Sequence, residues 1–168
     1  MDARLQALID RAEILDVLHQ YVHACDRSDT PRIADVYHPD SFDNHGTYQG
    51  DGHRFAEVVV ESNKQFTTMS HLLGQSTIRV DGDSAGAETY FIATIAREQD
   101  GEPYLDQMGG RYIDTLERRD GKWRIKSRVC TCEWSVTTKV ENEWHANSGF
   151  VRGTFDRSDP SYKALGLA

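Results

Sequence analysis

The sequence predicts an α+β fold: three N-terminal helices packed in a strongly curved, mostly antiparallel sheet. Three observations predict it. Apolar residues recur at three- and four-residue steps through the first 26 positions, the period of a helix with one buried face. From Met69 onward the chain changes to long runs rich in Thr, Val, Ile, Tyr and Phe, the composition of strands. The runs are punctuated by Asp81-Gly82-Asp83, Asp100-Gly101 and Asp120-Gly121, pairs that tolerate the positive φ of tight hairpin turns. Helices first and a meander of strands after is the order of an α+β plan. A twisted sheet of that size wraps the helices as a cone with an open mouth.

Each element has its own signal. Leu5, Leu8, Ile9, Ala12, Leu15, Leu18, Val22 and Cys25 form one stripe, giving a first helix over residues 4–26. Ser28-Asp29-Thr30-Pro31 supplies an N-cap and a first-turn proline, so a short second helix should run through Ile33, Ala34, Val36 and Tyr37 and stop at His38-Pro39-Asp40. Ser41 to Tyr48, interrupted by Gly46, reads as a small strand or hairpin. Gly50-Asp51-Gly52 leads into a third helix over 53–65, with Phe55, Val58, Val59 and Phe66 on one side. Four strands follow: Met69 to Val80, Ala85 to Arg97, Tyr104 to Arg118 and Lys122 to Thr138. Residues 1–138 then form the domain. The extension 139–168 carries Trp144, Phe150, Phe155, Tyr162 and Leu165, aromatics that should dock it on the domain or on a neighbouring subunit.

The chain's 168 residues suit one domain with a single core. Nineteen basic against twenty-seven acidic residues give a net charge of −8, which argues against nucleic acid or an anionic membrane as partner. Arg118-Arg119 with Lys122, Arg124, Lys126 and Arg128 is a basic stretch, but its alternation around Asp120-Gly121 reads as a solvated hairpin. No run approaches the roughly 18 apolar residues of a membrane span, and Met1-Asp2-Ala3-Arg4-Leu5 lacks the basic-then-apolar start of a secretory leader. Cys25, Cys130 and Cys132, an odd number without C-x-x-C spacing, fit small buried side chains in a reducing cytoplasm. His19 and His23 stand at i, i+4, a spacing that can bind zinc. No Glu-x-x-His set or second carboxylate cluster joins them, and His45 and His53 read as turn residues, so no metal is expected. No nucleotide-binding or serine-hydrolase motif occurs, so no cofactor is expected either.

The chemistry concentrates in Asp26, at the end of the first helix, and His71, at the start of the first long strand. A carboxylate on one imidazole nitrogen fixes the tautomer and makes the other nitrogen a general base. Four passages carry a family resemblance. They are Tyr21 to Asp26 before a capped second helix; Val36-Tyr37-His38-Pro39-Asp40 with Gly46-Thr47-Tyr48-Gln49-Gly50; His71 ahead of Ile78-Arg79-Val80-Asp81-Gly82-Asp83; and Gly110-Arg111-Tyr112-Ile113-Asp114 running on to Lys122-Trp123-Arg124-Ile125. Over about residues 5–136 the chain resembles the SnoaL-like branch of the nuclear-transport-factor-2-like (NTF2-like) superfamily, which includes polyketide cyclases, dehydratases and a dehydrochlorinase.

The resemblance implies an NTF2-like cone and a cofactor-independent lyase in which His71 is the base and Asp26 orients it. It implies that Tyr21 donates to a substrate oxygen and that Arg128 stabilises a leaving group. Strict alternation would set Arg128 on the face of Arg124 and Lys126, so a β-bulge must turn it inward. Tyr48, Phe42 and Asn44 fall where the family's short strand contributes to the pocket wall and are expected to touch substrate. The expected partner is a small, hydrophobic, aromatic or polycyclic oxygenated molecule that loses water or a small carbonyl fragment. An isomerase or cyclase with the same dyad, or a non-catalytic binding module, remain alternatives. A homo-oligomer, trimer or dimer, is expected.

Overall fold

Asp2 opens the first helix, α1 (Ala3–Asp26), by accepting from the Arg4 N–H at 2.7 Å. In this computed structural model, which describes residues 2–142, 145 and 148–167, α2 (Thr30–Asp35) follows, then β1 (Tyr37–Asn44), β2 (Gln49–Asp51) and α3 (Gly52–Asn63). Four long strands come next: β3 (Thr68–Asp81), β4 (Ser84–Gln99), β5 (Glu102–Arg119) and β6 (Lys122–Lys139), with a last short helix, α4 (Pro160–Ala164). The six strands form one curved, unclosed sheet in the order β2-β1-β6-β5-β4-β3, antiparallel except where β1 runs parallel to β6. The Asp-Gly turns at 100–101 and 120–121 have positive φ at both residues, as two-residue hairpins require. No helix among the described residues is long and apolar enough to cross a membrane.

Two expectations need correction. The buried face of α1 runs through Asp10, Ile14, Leu18, Tyr21, Val22 and Cys25, while Leu5 and Leu8 are exposed. The face is displaced because Asp10, charged yet buried, accepts from Arg118 Nη1 at 2.5 Å and Trp123 Nε1 at 3.4 Å. Hydropathy alone cannot register such distant partners. The second helix is also shorter than its pattern. Tyr37 and His38 already belong to β1, where the Ile125 N–H donates to the Val36 carbonyl and Tyr37 pairs with Ile125. Gly52 allows α3 to start against β1, since a Cβ there would lie 2.5 Å from the Tyr37 ring.

The tail docks through α4, while Trp144 lies outside the described residues. Tyr162 is fully buried and donates to Asp29 Oδ2 at 2.7 Å, and Arg27 pairs with Asp159 at 2.8 Å. Arg32 can only donate, so His23 Nδ1 accepts from it at 2.8 Å and Nε2 carries the proton toward Ser161 Oγ at 3.0 Å. Burial first, then the Arg32 and Arg27 guanidiniums, holds His23 below the ordinary imidazole value of 6.5. A base depressed in the docked state binds protons more readily when undocked. Docking is therefore complete above 6.5 and weakens as pH falls from there toward the depressed value. Protection of the α4 amides, corrected for the pH dependence of intrinsic exchange, should fall as pH drops below about 6.5, and His23→Gln should remove that dependence.

Candidate active site

Asp26 is placed by the way α1 ends. Ser28 takes φ 53°, its N–H donates to the Cys25 carbonyl, and the Asp29 N–H donates to the Ala24 carbonyl. Asn63 from α3 adds a bond to the Cys25 carbonyl at 3.0 Å. Arg27 fastens this end to the start of β3, donating to the Met69 carbonyl at 3.2 Å. His71 follows two residues along. One Asp26 oxygen accepts from the His71 backbone N–H at 3.0 Å and the other lies 2.6 Å from Nδ1. A carboxylate at Nδ1 places the proton there and leaves the lone pair on Nε2, which among the described residues makes no hydrogen bond. The two side chains are 14% and 11% exposed, shielded yet within reach of solvent.

Arg128 is inside. Between the Ser127–Thr115 and Ile125–Leu116 pairs the register shifts, and the extra residue, Lys126, bulges outward. Buried positions accordingly run Trp123, Ile125, then Arg128. The bulge that alternation demanded exists. Arg128 makes a two-pronged pair with Asp114 across the ladder, Nε to Oδ1 at 2.7 Å and Nη2 to Oδ2 at 2.8 Å, with both side chains fully buried. Its guanidinium lies 4.0 Å from the Tyr21 ring centroid and 4.3 Å from that of Tyr112. Burial opposes its charge, but Asp114, with Tyr37 and Tyr21 added to it, outweighs this and holds the group above the usual guanidinium range. Nη1 is buried without a hydrogen-bond partner among the described residues.

Tyr21 is buried, its hydroxyl 3.1 Å from His45 Nε2. Burial, reinforced by Cys25, Tyr37 and Tyr112 and opposed by Arg128, keeps its pKa far above the ordinary phenol value, so it stays an O–H donor. Tyr21 sits edge-on to Tyr112 with centroids 5.5 Å apart. Tyr112 stacks on Phe91 at 4.2 Å, and Phe91 lies 6.3 Å from His71. Thus an aromatic wall joins Tyr21 and Arg128 to the Asp26–His71 pair.

The expected wall residues of the short strand fare differently. Tyr48 packs its ring 5.5 Å from Phe55 and donates to the Asp51 carbonyl. Phe42 points outward and is 46% exposed, and Asn44 accepts from the Gly46 N–H in the turn. The alternation of β1 turns Asp43 inward between them. Asp43 is fully buried, accepting from the Tyr37 hydroxyl at 2.6 Å and lying 2.5 Å from His45 Nδ1. His45 lies in the turn between β1 and β2, as expected, and its ring stacks on Phe55 at 4.2 Å. The i, i+2 spacing of Asp43 and His45, a same-face spacing in extended chain, was the available signal.

A family model described as a SnoaL-like domain matches residues 6–129. An uncharacterised protein of Mycobacterium tuberculosis is 28% identical over 125 residues, 73% of this chain and 84% of that one. Among solved structures, a hexachlorocyclohexane dehydrochlorinase from Novosphingobium barchaimii superposes with TM-score 0.71 at 19% identity, over 89% of this chain and 99% of that one. A scytalone dehydratase-like protein from Novosphingobium aromaticivorans does so with TM-score 0.68 at 17% identity, over 87% and 97%. At these identities the solved structures establish the NTF2-like fold and no more.

Proposed function

The chain belongs to the SnoaL-like domain family, and from that premise we propose that it is a cofactor-independent lyase whose Asp26–His71 dyad starts an elimination. The carrying observation is the Asp26 carboxylate, which engages the His71 backbone N–H and Nδ1 together and leaves Nε2 as the base. His71 takes a proton from a substrate carbon, and the C–H pair forms the new double bond. The C–O bond breaks and its pair leaves with oxygen. Tyr21 donates to that oxygen. The unpaired Nη1 of Arg128 is the donor suited to charge building there, in a site dry enough for it to count.

The wall of Phe91, Tyr112 and Tyr21 favours a flat, apolar, oxygenated substrate, aromatic or polycyclic. Loss of a small carbonyl fragment by retro-aldol cleavage would use the same base. A panel of β-hydroxy ketones carrying fused aromatic rings, followed by mass, tests the assignment. Products lighter by water or by a carbonyl fragment are expected. Conversion at unchanged mass across the panel would point to an isomerase instead and sink the lyase reading.

A further inference from the structure

Resting on the base role of His71 argued above, we propose that His45, held by Asp43 and acting through Tyr21, is a second proton-transfer dyad that delivers the acid to the leaving group. Two carboxylate-backed imidazoles stand along one aromatic wall. His71 is 6.3 Å from Phe91, Phe91 is stacked on Tyr112, and Tyr112 is 5.9 Å from His45. One pair faces the wall from β3, the other from the end of β1.

The hydrogen bonds of His45 prescribe the relay. Both oxygens of the buried Asp43 are engaged, one by the Tyr37 hydroxyl and one by His45 Nδ1, so the Nδ1 proton stays with Asp43. Only Nε2 is left to vary, and it faces the Tyr21 hydroxyl at 3.1 Å. When His45 is neutral, Nε2 accepts and the Tyr21 proton is committed to it. When His45 is an imidazolium, Nε2 donates and the Tyr21 proton is free for substrate. Asp43 is the only carboxylate paired with His45, Phe55 covers one ring face, and Tyr21 and Tyr112 are the titratable rings beside it among the described residues. The side chain is 18% exposed, so solvent can reload it.

Elimination then balances. His71 Nε2 accepts the carbon-bound proton and becomes an imidazolium. Tyr21 gives its hydroxyl proton to the departing oxygen and recovers one from His45 Nε2, which becomes neutral. Arg128 over the Tyr21 ring stabilises negative charge on the phenol during the exchange. Solvent afterwards deprotonates His71 and reprotonates His45.

Nitrobenzisoxazole and analogues graded by the acidity of the phenol they release provide the probe. A base removes the ring C–H, the N–O bond breaks, a nitrile forms and the oxygen departs as a phenol. In the wild-type protein, turnover should depend only weakly on phenol acidity. His45→Gln should slow the least acidic leaving phenol by about 10²-fold and the most acidic far less, steepening the dependence. Tyr21→Phe, which keeps the ring packing, should steepen it likewise. His71→Ala should slow every analogue alike.

An equal loss across the series in both His45→Gln and Tyr21→Phe would mean a structural role and overturn the relay. No loss, or a wild-type dependence already as steep as the variants', would overturn it too. In those cases a slow His71→Ala leaves the base reading standing. Wild-type turnover that survives His71→Ala, or no turnover of any analogue, would overturn the base reading and the relay with it.

Discussion

Replacing His71 with alanine should lower turnover by about 10²–10⁴-fold, the usual contribution of a positioned general base, while costing no more than about 1 kcal/mol in stability. The split follows from the surroundings. Asp26 still accepts from the backbone N–H at residue 71 and still reaches solvent, so no buried charge is stranded. Asp26→Asn should match that loss by another route. With its amide oxygen on the backbone N–H, the Asn NH₂ group faces Nδ1 and can only donate to it. The ring proton must then sit on Nε2, and the base is presented as a donor, the wrong tautomer. Steady-state turnover beside thermal unfolding midpoints checks both variants, and added imidazole should partly restore His71→Ala but not Asp26→Asn. Turnover within threefold of wild type in either would remove the dyad from the mechanism.

That pair was legible because both residues sit where local patterns are strongest, the end of a long amphipathic helix and the head of a strand. What stayed hidden depended on distant parts of the chain. Lys126 bulges out of β6 with no glycine or proline to announce it, yet this one residue decides whether Arg128 faces solvent or the core. Asp10 reads as surface until Arg118 and Trp123 arrive from the sheet. The end of the second helix is another case: Tyr37 fits the helical period, but strand β6 claims it through parallel pairing. The orientations of Phe42 and His45 go together, since the direction of β1 fixes both. Once Asp43 turns inward, Phe42 must turn outward. The five-residue α4 has no periodicity to detect, although Asp159-Pro160 is a sound start signal, and Asp159 does accept from the Ser161 N–H.

The second large effect belongs to Arg128 and Asp114. Either substitution alone, Arg128→Met or Asp114→Leu, should destabilise the protein by about 3–5 kcal/mol, because each strands the partner's charge in a dry interior. The double variant should recover most of that loss. A buried ion pair often contributes no more than well-packed apolar side chains, and among the described residues this one leaves Nη1 without a partner. Denaturant midpoints for the two single variants and the double variant measure the coupling directly. Additive losses would mean that the two groups do not act as a pair. Activity separates the remaining possibilities. If Arg128 only tied β5 to β6, the recovered double variant would turn over normally. The guanidinium lies over Tyr21 with one donor unspent, so a stable double variant should remain slow by about 10²-fold or more, the scale of losing one preorganised donor.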